Sequence, residues 1–525
     1  MGTFLEDRDR NVIPRLRSFR TTLALGELNS AGGFPESEYL DYEESLASKI
    51  RAWKENGTIS FAADLASAAL VLQRPDEATE AAEFILSTDS QAPPAAREVA
   101  QRILGTEPAE TSPKLIVTDV SLPHADQIFK RIRLSRNQLR SQPRNAILWV
   151  ELSRAYAYLG LVEKAERAMD IAVRLGPTNR FILRSATRLY VHVGRLGKAH
   201  SILQRAESTK FDPWLLSAEI AAASAAGRSS NLLNRGQQLL DDDSISPFQK
   251  NELASAIGTV ELAHGKVKRG RNLFRQALAD PTENTIAQVG WALRKRYVDS
   301  LGMDLDRIKK ETPRSFEALA WGNFTAGKWK EALHASFDWV RDQPFSTRPV
   351  FFASFVAASL LEDYRSCERI VEIGLRANPS EPMLLNDLAF AFASAGQIDK
   401  AEQTFLKIDS TQITDLTQKV VTIATQGLIN FRRGFHEAGR GDYRLAIESA
   451  KRHRLHRTAA IASIYLAREE ALSKSEEAER AIQLAIQERD RVDDPDINQI
   501  FETALGSSVR ENEDEQLRSV NALPD

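Results

Sequence analysis

Residues 146 to 179 read AILWVELSRAYAYLGLVEKAERAMDIAVRLGPTN. Trp149, Leu152 and Tyr156 recur at spacings of three and four, which sets them on one face of a helix. Gly160 permits the left-handed conformation that closes this helix and opens a turn. Ala165 is small where two antiparallel helices must approach closely, and Met169 and Ala172 continue the inner face of the second helix. Pro177 lies just past that helix, where its locked φ and missing N–H stop further winding. The next 34 residues repeat the pattern, with Leu183, Ala186, Tyr190, Gly194, Ala199, Ala206 and Phe211 in the corresponding places and Pro213 just beyond. A period of this length marks a stacked helical solenoid, because one hairpin cannot bury its apolar face alone.

This arrangement of large, small and turn positions resembles the tetratricopeptide (TPR) repeat family, most specifically in residues 146–179. The resemblance implies an all-α chain folded as a right-handed α-solenoid of stacked antiparallel helix hairpins. It also implies a non-enzymatic protein-binding scaffold, an adaptor or a regulatory subunit, that holds a partner protein or peptide in the concave groove.

The signal recurs along the chain as a glycine followed five residues later by a small residue. It falls at Gly160/Ala165, Gly194/Ala199, Gly265/Gly270, Gly327/Ala332 and Gly396/Ala401, within about nine hairpins in all. Residues 58–104 read as a hairpin region turning near Pro75, and 105–123 as a linker around the β-branched run Leu115-Ile116-Val117. A first TPR-like array is expected over 124–280, an irregular helical pair over 281–312, a second array over 313–410 and C-terminal helical repeats over 411–505. Residues 506–525 are too poor in apolar side chains to pack and read as a disordered acidic tail. Residues 1–57 lack the repeat and carry the Arg-rich stretch NVIPRLRSFR, read as a cap on the array or an arm that docks on a partner.

The chain has 525 residues, 42% hydrophobic and 27% charged, ordinary for a globular protein. No run of about 18 apolar residues suggests a membrane span, and the opening MGTFLEDRDRN is too charged for a secretory signal. A single cysteine, Cys367, rules out an internal disulfide and suits the cytoplasm. The net charge of −3 argues against a protein that coats nucleic acid. Cations are nevertheless clustered. Lys130, Arg131, Arg133 and Arg136, then Lys266, Lys268 and Arg269, then Arg432 and Arg433 are candidate contacts for an anion or nucleic acid, the basis of an alternative reading as an RNA-binding helical-repeat protein.

In the TPR family the first helices of successive hairpins line the concave side. The resemblance therefore places Arg154, Tyr158, Phe181, Arg184, Arg188, His192, Trp321, Phe324, Asn386 and Phe390 as partner-binding residues. The arginine forks suit carboxylates, so an acidic partner segment is expected. The family's carboxylate-clamp subset is not matched, since its lysine and asparagine places hold Val150, Arg154 and Ser185.

Signals for chemistry are weak. GNFTAGKW, Gly322 to Trp329, matches a phosphate-loop pattern but has Trp329 where the metal needs Ser or Thr, and it falls in a helix–helix turn. Arg195 and His200 have an RxxxxH spacing like that of some helical ribonucleases, which makes a helical-repeat nuclease the second alternative. No nucleophile–base pair or metal set is legible, and no catalytic residue, metal or cofactor is expected.

Overall fold

A computed structural model describes residues 13–17, 42–71, 74–88, 92, 94–105, 125–295, 297 and 301–506. The expected linker, beyond Gly105, and the expected acidic tail, beyond residue 506, lie outside the described residues, as does the run Leu115-Ile116-Val117. Among the described residues every regular element is helical. The chain divides into two compact units, Thr22–Ser121 and the remainder.

The smaller unit holds α1 (Tyr42–Asn56), α2 (Ile59–Val71), a 3-10 turn over Pro75–Ala78, α3 (Thr79–Ser87) and α4 (Pro94–Ile103). Its core is built largely from alanines, among them Ala62, Ala66, Ala69, Ala81 and Ala82, with Leu46, Leu65 and Ile85 as the larger members. Small side chains let the helices approach closely, and the Trp53 and Phe84 rings, 4.8 Å apart, fill the remaining gap.

The larger unit opens with α5 (Ala125–Ser141) and then alternates first and second helices of hairpins. These are α6/α7 (Ala146–Ala157, Val162–Leu175), α8/α9 (Arg180–His192, Leu196–Arg205) and α10/α11 (Pro213–Ala225, Leu233–Asp241). Next come α12/α13 (Pro247–Ala263, Val267–Ala277) and α14/α15 (Glu283–Arg294, Leu305–Glu311). The array continues through α16/α17 (Phe316–Thr325, Trp329–Asp342), α18/α19 (Thr347–Phe355, Tyr364–Ala377) and α20/α21 (Pro382–Ser394, Ile398–Phe405). It closes with α22/α23 (Leu416–Arg432, His436–Arg452), α24/α25 (His456–Leu472, Ala478–Val492) and a further helical segment over 495–506. Successive first helices pack against one another, as in an α-solenoid.

Local sequence explains where the helices start and stop. Asn145 and Asn179 cap α6 and α8 by accepting the amides of Leu148 and Ile182, both at 3.1 Å. Ser246 and Gln249 form a capping box at the start of α12. The turn of the first hairpin is made by Gly160 at φ +66°, and that of the second by Gly194 at φ +75°. Hairpin α18/α19 lacks a turn glycine, and its chain solves the same problem differently. α18 runs into a π turn over Val356–Leu360, and Glu362 takes φ +51°. The small residues five positions beyond the turn glycines are wholly buried at Ala165, Ala199, Ala332 and Ala401. Gly427 and Gly439 do the same for α22 and α23, where a Cβ on either would lie 3.0 Å or less from the other's carbonyl oxygen.

Candidate functional site

The array coils back on itself, so that turns of later hairpins meet the first helices of earlier ones. The turn between α17 and α18 reaches across to α6 and α8. Phe345 stacks on Tyr158 at 5.9 Å, meets His192 edge-on at 5.0 Å and lies beneath the Arg188 guanidinium, 5.5 Å from the ring centre. Arg188 Nη2 also donates to the Ser346 hydroxyl at 2.8 Å. Burial, and then the nearby Arg188 charge, push His192 down to about 3, so its imidazole is neutral at physiological pH. On the same side, a Cβ at Gly160 would meet the backbone oxygens of Ala377 and Arg376 at 3.0 and 3.1 Å.

From α8 a chain of buried polar contacts runs along the inner wall. Arg184 donates Nη1 and Nη2 to the Glu252 carboxylate at 2.9 and 3.2 Å, donates Nη1 to the Trp214 carbonyl at 3.1 Å, and lies 4.8 Å over the Trp214 ring. Both partners of this ion pair are 5% exposed. Glu252 also accepts from Asn284 Nδ2 at 3.0 Å and Thr282 Oγ1 at 3.2 Å. The next link comes from residues 13–17, a non-helical segment seated on this wall. Arg15 Nε donates to Asn284 Oδ1 at 2.8 Å and its Nη2 to Glu317 at 2.5 Å. Arg17 forms a two-pronged contact with Asp342 at 2.8 and 2.7 Å and reaches Glu283 at 2.5 Å. Leu16, between them, is wholly buried, and Ile13 and Arg17 nearly so. Burial opposes ionisation of Glu317 and Asp342, but the guanidiniums outweigh it. Arg348 and Arg15 hold Glu317, and Arg17 holds Asp342, below their ordinary carboxylate values.

Farther along, Asn386 and Phe390 line an apolar cavity of about 70 Å³ with Phe355, Val421, Thr425 and Tyr465. Asp387, next to Asn386 and buried, accepts the Ser354 hydroxyl at 2.8 Å. Burial pushes its carboxyl up to about 7, offset in part by that hydrogen bond. The folded chain thus holds this proton more tightly than the unfolded chain does. Its contribution to stability is full at low pH and is lost as pH rises from about 4, the ordinary carboxylate range, through about 7. Relative to an Asp387→Asn variant, the parent's thermal midpoint should decline across this window. An unchanged slope in the variant would assign the pH dependence to other groups.

The positions expected to face a partner therefore divide into several environments. The three arginines expected to present forks to a partner's carboxylates use them within the array. Arg184 binds Glu252, Arg188 binds Ser346 and the Phe345 ring, and Arg154 binds Glu151 at 2.6 Å and the Tyr158 hydroxyl at 2.9 Å. Tyr158 and Phe181 are buried, and Trp321 is packed between the Arg294 guanidinium and the Phe352 ring. Phe324 sits among Trp321, Trp329 and Phe352, and Phe390 meets Tyr465 at 5.1 Å while lining the cavity.

The basic stretches also separate. Arg432 pairs with Glu469 at 2.7 Å and Arg433 with Glu402. Arg440, Arg444, Lys451 and Arg457 pair with Glu470, Glu477, Glu488 and Asp496. Except for Glu402, which precedes Arg433, these acids lie about one repeat downstream of the cations that they neutralise. Lys266 and Arg269 share Glu261, while Lys268 is exposed. Among these groups of described residues, the α5 group, Lys130, Arg131, Arg133 and Arg136, combines exposure of every member with no ion pair. His200 is buried with Nε2 2.8 Å from Glu219, and Arg195 is largely exposed beside Glu166. A buried, carboxylate-bound imidazole is poorly placed to meet a nucleic-acid backbone, so the nuclease reading loses its base.

No family model matches the chain, and no curated protein matches it. Among solved structures it is similar to yeast Tom70, at 13% identity over 89% of this chain and 99% of that one, with a TM-score of 0.29. It is also similar to the APC/C hetero-tetramer Cut9-Hcn1, at 12% identity over 92% and 99%, TM-score 0.37. A third structure, Naa15/Naa10 bound to HypK-THB, aligns at 13% identity over 96% and 92%, TM-score 0.28.

Proposed function

We propose that this chain is a non-enzymatic protein-binding scaffold of the TPR type, an adaptor or regulatory subunit whose inner wall holds a segment of a partner protein. One observation carries the reading. The inner wall already grips a non-helical piece of polypeptide, Ile13 to Arg17, through side chains from α14, α16 and the end of α17. A surface that holds two arginines of a non-helical segment by charge-assisted hydrogen bonds has the chemistry of a peptide site. The cavity beside Phe390 adds apolar anchorage on the same series of first helices. A cytoplasmic location fits the single cysteine, Cys367, which is buried among first and second helices of the array.

The test is purification of the chain from its native source, with mass spectrometry of both proteins and nucleic acids in the preparation. The expected result is a stoichiometric protein partner that stays bound as salt rises. Recovery of nucleic acid alone, lost steeply with salt, would favour RNA binding through α5 instead. Turnover of a substrate by the isolated chain would contradict the non-enzymatic reading.

A further inference from the structure

Glu283, Glu317 and Asp342 belong to three different helices, yet they converge on two arginines separated from them by 266 to 325 residues of chain. The contacts are side chain to side chain. Arg15 and Arg17 lie two apart, the spacing that puts side chains on one side of a non-helical strand, and Leu16 between them is wholly buried. Two resident guanidiniums also touch these acids, Arg348 to Glu317 at 2.8 Å and Arg314 to Asp342 at 3.4 Å. Arg348 and Arg314 contact two of the three carboxylates, Glu317 and Asp342, whereas Arg15 and Arg17 between them contact all three. Nothing in this geometry requires the arginines to be covalently part of the chain.

We infer that Glu283, Asn284, Glu317 and Asp342 form a receptor site for an Arg-Xaa-Arg segment with an apolar middle residue, that Arg15-Leu16-Arg17 is its tethered occupant, and that a partner protein enters by presenting the same motif and displacing it. The preferred partner segment is thus basic, the reverse of the acidic segment expected from Arg154, Arg184 and Arg188. This rests on the inner wall being a partner surface, and it deepens that reading by naming the chemistry recognised. Arginine rather than lysine is required, because the planar fork makes the paired contacts to Asp342.

The experiment uses the full chain carrying Arg15→Ala and Arg17→Ala, and a fluorescent synthetic peptide of residues 11–20 as the probe. Fluorescence polarisation should show the peptide binding this variant at least roughly ten-fold more tightly than the parent, whose own segment competes for the site as a tethered ligand. Replacing both peptide arginines at the motif with lysine should weaken binding by about ten-fold. Adding Glu317→Lys and Asp342→Lys to the variant should abolish it. Equal binding to parent and variant, or equal binding of the arginine and lysine peptides, would overturn the inference.

Should the double variant lose its fold, the parent gives an independent answer. A peptide with a photoreactive residue at the place of Leu16 should label residues 283–342, and excess unlabelled arginine peptide should suppress the labelling while the lysine peptide does not. Labelling elsewhere would overturn the proposal. So would a parent dimer, seen by light scattering, that dissociates in the double variant, since the site would then serve exchange between copies. A partner captured on the inner wall with no peptide binding would leave the scaffold reading standing and remove only this one.

Discussion

Arg184→Glu is expected to destabilise the array by about 3–5 kcal/mol or more, enough to unfold a protein of ordinary stability under mild stress. The reason is the buried environment. Glu252 would lose its two-pronged partner and face a second carboxylate at a site where both side chains are almost wholly excluded from solvent. Arg188→Glu, by contrast, removes a half-buried group whose contacts include a hydroxyl and a ring, in a setting less buried than that of the Arg184–Glu252 pair, and should cost on the order of 1 kcal/mol. Denaturant midpoints of the two variants separate these cases. Combining Arg184→Glu with Glu252→Arg should recover part of the loss. An Arg184→Glu variant that melts like the parent would mean that the network along the inner wall does not hold.

Gly160→Val is the second large effect. A β-branched residue at φ +66° costs about 1–2 kcal/mol, and the added side chain must also enter a space already closed by the Ala377 and Arg376 carbonyls and Pro379, adding about 1–3 kcal/mol of overpacking. Gly194→Val has the same backbone penalty, at φ +75°, with no neighbour within 4 Å of its Cβ. The difference between the two variants therefore measures the contact between distant hairpins. Equal losses at both glycines would contradict the self-contact of the coil.

That contrast also shows what the sequence could reveal. The hairpins were legible because their determinants are local. Helical spacing of Trp149, Leu152 and Tyr156, the Gly160 turn and the small Ala165 all act within one repeat, and Asn145 and Asn179 announce the helix starts. The same locality sets Arg154, Arg184 and Asn386 on the first helices of their hairpins. Their partners could not be seen, because Phe345 reaching Tyr158 and His192 depends on rotations summed over many repeats. The Arg184–Glu252 pair, 68 residues apart, spans two hairpins. The charge pairing of the C-terminal repeats was legible in principle. Arg432, Arg440 and Arg444 meet acids 37, 30 and 33 residues later, close to one repeat length. The Arg-rich stretch NVIPRLRSFR reads as a cap or a docking arm, and only the fold shows that its Arg15 and Arg17 meet acids of the chain's own array.

The central claim, that the inner wall is where this protein holds its partner, is tested most directly by position-resolved photo-crosslinking in extract of the native source. Photoreactive residues at Phe390 and Ala424 report on the cavity along the first helices, and at Arg133 and Lys268 on exposed positions of α5 and the second helix α13. The account predicts a single partner protein joined at Phe390 and Ala424, with little at Arg133 and Lys268, and adducts that disappear when the partner is depleted. The same partner joined only at Arg133 or Lys268 would place the binding surface on α5 or α13 and contradict the account.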